Sequence, residues 1–154
     1  MSVHPLIEHG PDPDHPGWWS WVAKTDEKFN SVLGKLLVRA DGPGHSVCRM
    51  FPEERHANLQ EMIHGGALMT FMDMALFAGG RMAGADVIKA VTLDLSARFL
   101  SPARVGVPLD AEMELLRETG RLVFLEGRVT QAGELIASFN GSLRKAERKA
   151  DPQS

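Results

Sequence analysis

The sequence is poor in the features that mark specialised protein classes. Cys48 is its only cysteine, which excludes an internal disulfide and any CxxC metal site and leaves a small buried hydrophobe as the reading of that residue. No apolar run is long enough to span a bilayer; the stretch 67–78 falls short and carries an acid. The N-terminal residues, MSVHPLIEHGPDPDHPGWW, lack the basic start and continuous apolar core of a signal peptide. A large excess of one charge is also missing: at a net −3, neither nucleic acid nor an anionic membrane is attracted globally. There is no GxSxG elbow, GxxxxGK[ST] loop or GxGxxG turn, so serine-hydrolase, nucleotide-hydrolysing and nicotinamide readings have no support. His4, His9 and His15 are spaced irregularly among prolines and read as solvated residues rather than metal ligands. The expectation is a cytoplasmic protein without metal, cofactor, membrane or nucleic-acid partner.

What is present is an ordinary globular balance, 44% hydrophobic and 24% charged, in 154 residues, enough for one domain with a sizeable core. Residues 1–33 read as an N-terminal arm, a loop or flexible up to residue 17. Trp18, Trp19 and Trp21 then open a short amphipathic segment to about Leu33 that must bury against something. Strand-like runs follow at 34–40 and 45–51, separated by Asp41-Gly42-Pro43-Gly44, a turn signal. After a polar loop, residues from about His64 to Met82 form a helix apolar on nearly all sides, which should be enclosed. Four more strand-like runs occupy 88–100, 107–118, 121–132 and 134–146. In the first, Val91, Leu93, Leu95, Ala97 and Phe99 alternate with Thr92, Asp94, Ser96 and Arg98. Thr119-Gly120 and Ala132-Gly133 are short enough for hairpins. The sequence from Arg144 onward is charged, leaving 147–154 as a tail. One long helix and about six half-apolar strands can all be satisfied when an antiparallel sheet wraps around the helix. This α+β arrangement, over residues 34–146, is the hotdog fold.

The loop and helix head, HANLQEMIHGGALMTFMD (56–73), resemble the signature of the PaaI-like acyl-CoA thioesterases of the hotdog superfamily, roughly H-x-N-x-x-G-x-x-H-G-G with an Asp nine residues after the second His. Asn58, His64, Gly65, Gly66 and Asp73 fall on the pattern, and VTLDLSARFLSPA (91–103) resembles the family strand that follows the helix. Glu61 departs from it, standing where the family usually has Gly, and should reshape the loop that presents Asn58. The resemblance implies hydrolysis of an acyl-CoA thioester to free acid and coenzyme A. It also implies a role for Thr92, where the family often has Ser or Thr to hold the water.

The residues are chemically suited to such a reaction. Hydrolysis needs donors for the developing oxyanion and a carboxylate to activate water or attack directly. The first amides of a helix lack intrahelical partners, and glycines at 65 and 66 let a carbonyl approach. Asn58 can donate from its side-chain amide or serve as a local turn residue, and His64 can donate or stabilise the loop. Asp73 has Met69, Thr70, Leu76 and Phe77 as helical neighbours, so no cation on its own helix pairs with it, and an apolar setting raises a carboxyl pKa toward that of a useful base. Arg81, Arg98 and Arg104 are candidates to meet the phosphates of coenzyme A.

Gly65 and Asp73 are eight residues apart, about 12 Å along one helix. One thioester carbon cannot touch both from the same chain, so a composite site in a homodimer is expected, with tetramers common in the family. The alternative is a non-catalytic hotdog module that binds an acyl ligand or serves as a structural dimer.

Overall fold

The computed structural model describes residues 3–147. In chain order the strands are β1 (Ile7–Glu8), β2 (Trp19–Ala23), β3 (Leu36–Ala40) and β4 (His45–Met50), then, after the single α-helix α1 (Gly65–Met82), β5 (Val91–Phe99), β6 (Leu109–Glu118), β7 (Leu122–Gln131) and β8 (Glu134–Arg144). Short 3-10 turns lie at Phe29–Leu33 and Glu54–His56. All eight strands join one antiparallel sheet in the order β1-β2-β3-β4-β6-β7-β8-β5. The sheet thus has two strands more than the sequence pattern gives. Both additions come from the N-terminal arm, whose Pro, His and Trp content hides any period-two signal.

The helix lies across the concave face of the sheet and packs on every strand from β3 to β8. Leu68, Phe71, Met72, Ala75, Leu76, Ala78 and Gly79 are buried against it. Contact is close at Gly79: a Cβ there would lie 2.7 Å from Met113 Cγ, and Ser46 Oγ donates to the Gly79 carbonyl at 2.7 Å. Gly141 does the same from the sheet side, where a Cβ would meet Leu76 at 2.6 Å. Enclosure of the helix, expected from its composition, is incomplete. Gly66, Thr70, Asp73, Phe77 and Arg81, one helical face by their spacing, remain exposed or only half-buried. Among the described residues no helix is long and apolar enough to cross a membrane.

The arm is irregular for most of its length, yet it is tied down. Ile7 and Glu8 pair with Ala23 and Val22, the Lys24 amide donates to the Leu6 carbonyl at 2.8 Å, and the Ser20 amide to the Gly10 carbonyl at 2.8 Å. Asp12, 6% exposed, takes an ion pair from Lys35 and a 2.8 Å contact from His15. Lys35 foremost, then His15, holds the Asp12 carboxyl down at about 2. Neither His15 nor His9 is therefore a plain solvated residue. His9 Nδ1 bonds the Ser20 carbonyl at 2.7 Å, its ring lies 5.0 Å from Trp19 and 5.4 Å from Trp21, and burial pushes its pKa down. The neighbouring Trp18 receives the guanidinium of Arg49 at 4.6 Å and of Arg39 at 5.1 Å.

At the other terminus, β8 continues through Arg144 and Lys145 pairs with Glu118 at 2.5 Å. Of the expected tail, 147–154, only Glu147 falls among the described residues, and 148–154 lie outside them.

The β7–β8 hairpin turns through Ala132 and Gly133, both at positive φ (49° and 82°), the primed turn that fits the sheet twist. Alanine is poorly suited to that conformation, whereas asparagine tolerates it. Ala132→Asn should stabilise the fold by about 0.5–1 kcal/mol, a rise in Tm of roughly 1–4 °C for a chain of this size. Thermal unfolding checks this, with hydrolytic activity unchanged.

Candidate active site

The polar loop before the helix is built on two histidines. His56, 3% exposed, accepts from the Glu53 amide at Nδ1 (2.9 Å) and donates from Nε2 to the Val32 carbonyl (2.8 Å), a pair of bonds that fits the Nε2–H tautomer. Its own carbonyl receives the His64 amide at 2.8 Å. His56 thus fixes both ends of the loop, a role its place in the H-x-N pattern hints at without defining.

Between them, Asn58 Oδ1 accepts from the amides of Gln60 (2.8 Å) and Met62 (3.2 Å). Spending the oxygen locally orients the carboxamide and keeps Nδ2 as a donor. Asn58 is therefore a turn-former and a presented amide at once. Glu61 adopts φ 62°, which explains why glycine suits this position: the turn needs a left-handed residue. Glu61 accepts the strained conformation, and its amide donates to the Asn58 carbonyl at 3.1 Å. Its carboxyl bonds to that of Glu54, which raises the Glu54 pKa.

At the helix head, His64 is the N-cap and its Nδ1 accepts from the Gly66 amide at 2.8 Å. The cap occupies the Gly66 donor, so of the two glycine amides it is Gly65's that the cap leaves for a ligand. Gly65 and Asn58 line one depression of about 350 Å³ with Leu68, Phe99 and Ser101, while His64 and Gly66 face another, of about 300 Å³, with Thr70 and Phe29.

Asp73 lies on the half-covered face of α1, half-buried rather than enclosed. Thr92 Oγ1 donates to its Oδ1 at 2.6 Å. Simple alternation puts Thr92 on the face of β5 opposite to Leu95 and Ala97, pointing away from the helix. A bulge resolves the conflict: Thr92 pairs with Leu143 and Asp94 with Ser142, leaving Leu93 without a partner. The extra residue shifts the phase, so Thr92 turns inward beside Leu95 and Ala97. Asp73 opens onto a groove of about 560 Å³ that it shares with Trp21, Phe77 and Arg81 and with the arm residues Leu6 and Ile7. The arm's part in this groove was not legible in sequence beyond the requirement that its tryptophans bury.

The three arginines are not brought together. Arg81 shares the Asp73 groove, Arg98 faces Glu112, Glu114 and Glu126 across an outer channel of the sheet, and Arg104 follows β5 in a loop held by buried Gln131.

A helix cradled in an antiparallel sheet, with a capped Gly-Gly head and a carboxylate two turns on, defines a hotdog protein. The sequence model of the thioesterase superfamily matches residues 60–138. Acyl-coenzyme A thioesterase 13 from Homo sapiens is 32% identical over 115 residues, covering 71% of this chain and 79% of that protein. Among solved structures, a mutant of the phenylacetic acid degradation protein PaaI from Thermus thermophilus is 25% identical, with TM-score 0.64 over 77% of this chain and 98% of that one. Thioesterase superfamily member 2 from Mus musculus, also 25% identical, gives TM-score 0.66 over 77% and 87%. The chain belongs to the thioesterase superfamily, and its chemistry is thioester hydrolysis.

Glu61→Gly should relieve the left-handed backbone, worth about 1 kcal/mol. It also removes the carboxylate facing Glu54. Because the Glu54 pKa is raised in the folded state, the folded protein binds the extra proton, and stability falls as pH rises through that pKa. The gain from Glu61→Gly is accordingly larger at pH 7 than at pH 4, as chemical denaturation at the two values would report.

Proposed function

We propose that the protein hydrolyses an acyl-coenzyme A thioester at sites shared between two copies of the chain. The observation that carries this reading is the separation of the two half-sites: Asn58 and Gly65 line one depression and Asp73 another, with about 12 Å of helix between Gly65 and Asp73. Two antiparallel helices side by side bring one chain's Gly65 to its partner's Asp73. Two features favour such pairing. The helix face carrying Asp73 is incompletely covered. The outermost strand β5 and its end expose Val91, Leu93, Phe99 and Leu100, and an apolar sheet edge invites a partner. Association of dimers into tetramers and a cytoplasmic setting belong to the same reading.

In this scheme the thioester carbonyl lies against the Gly65 amide and Asn58 Nδ2, which stabilise negative charge on oxygen. Thr92 fixes Asp73 Oδ1 and leaves Oδ2 toward the substrate. The carboxylate removes a proton from water as its oxygen attacks the carbonyl carbon; the tetrahedral intermediate then expels the thiolate, which takes that proton back from Asp73. Direct attack by Asp73 to give a mixed anhydride, hydrolysed in a second step, uses the same groups. Labelling in ¹⁸O-water during a single turnover distinguishes the two, since only the second route leaves label in Asp73.

Asp73→Asn should lower kcat by about 10²–10⁴ and Asn58→Ala by about 10²–10³, with Tm unchanged or, for Asp73→Asn, raised. A collapse of Tm in Asp73→Asn with activity retained would show a structural acid instead. The shared site is tested by mixing the two inactive variants after dissociation. Each mixed dimer carries one intact site, so about a quarter of the parental activity returns, whereas a single-chain site returns none.

A further inference from the structure

We infer that the N-terminal arm forms one wall of the acyl pocket and sizes it for a medium-chain acyl group; this rests on the hydrolase reading above. The groove of about 560 Å³ beginning at Asp73 runs along the helix past Met74 and Phe77 to Arg81. Its volume lies within the range of small-molecule sites, about 300–1,000 Å³. The facing wall is Leu6, Ile7 and Trp21, all outside the segment matched by the superfamily, residues 60–138. This wall therefore lies outside the segment on which the superfamily match rests.

The wall is built, not draped. Leu6 accepts from the Lys24 amide, β1 is paired to β2, and Trp21 is 8% exposed. Between Asp73 and Arg81 the helix presents apolar Met74 and Phe77 to the groove, so the surface next to the reacting carbonyl suits hydrocarbon. The eight residues from Asp73 to Arg81 span about 12 Å. With carbon–carbon bonds of about 1.5 Å, a zigzag chain advances about 1.3 Å per carbon, so that length takes roughly eight to ten carbons. Leu6, at 43% exposure, stands on the arm where a change of size alters the groove without entering the core.

The test is the kcat/KM of the full-length protein for butyryl-, decanoyl- and palmitoyl-CoA. The parent should favour decanoyl-CoA at least about ten-fold over either, the discrimination an apolar pocket can supply. Leu6→Trp narrows the groove and should lower the decanoyl-to-butyryl ratio about ten-fold or more; Leu6→Ala should move the optimum toward palmitoyl-CoA. A flat parental profile, a preference for either extreme, or parental ratios in both variants would overturn the inference and leave the hydrolase reading standing. A parent inactive on all three substrates would overturn both.

Discussion

The close approach of helix to sheet is the constraint on which the rest depends. Where Gly79 meets Met113 and Ser46, and Gly141 meets Leu76, there is no room for a Cβ. Packing at this distance removes water from both surfaces and leaves the helix no freedom to roll or slide, because any shift drives a backbone into a side chain. Each side chain along α1 therefore has a fixed bearing relative to the sheet. Asp73 can meet a strand hydroxyl at 2.6 Å because the axis beneath it does not move. The glycines contribute little energy of their own; they set a distance, and the chemistry inherits it.

How much of this was legible in the sequence follows from where local rules govern. The strands from β3 onward, the helix and both hairpins obey periodicity and turn chemistry, and appear within a few residues of their expected places. So do the residues of the helix head, because His-Gly-Gly states its needs locally: a cap, a small side chain, an accessible amide. β1 and β2 were illegible because their pairing satisfies backbone groups without an alternating apolar pattern, and their burial comes from tryptophan and histidine rings stacking on one another. The face to which Thr92 points was also out of reach. Alternation assigns it outward, and only the bulge at Leu93, a property of two paired strands, reverses the phase.

Glu61 shows a different kind of limit. It departs from the glycine of the family pattern, and its backbone adopts the left-handed conformation that glycine takes most readily. The Asn58 side chain, accepting from the amides of Gln60 and Met62, ties the turn on both sides of Glu61. Strain held in this way belongs to a site whose geometry is fixed from several directions. The left-handed turn forms here without the residue best suited to it.

The bulge in β5 also has a bearing on how such a strand can change. A strand with one residue too many stores two alternative faces in the same ladder, separated by a single unpaired position. Losing Leu93 would straighten the ladder and leave Thr92 opposite Leu143, still facing the helix, whereas drawing Leu93 into the pairing would send Thr92 to the far side. The sheet would become more regular while Asp73 lost its hydroxyl neighbour. A one-residue slip in the pairing of this strand therefore switches which side chains look inward, a larger change to the groove than most substitutions within it could make. The irregularity is the hinge between two registers, and the Asp73 carboxylate keeps its partner in only one of them.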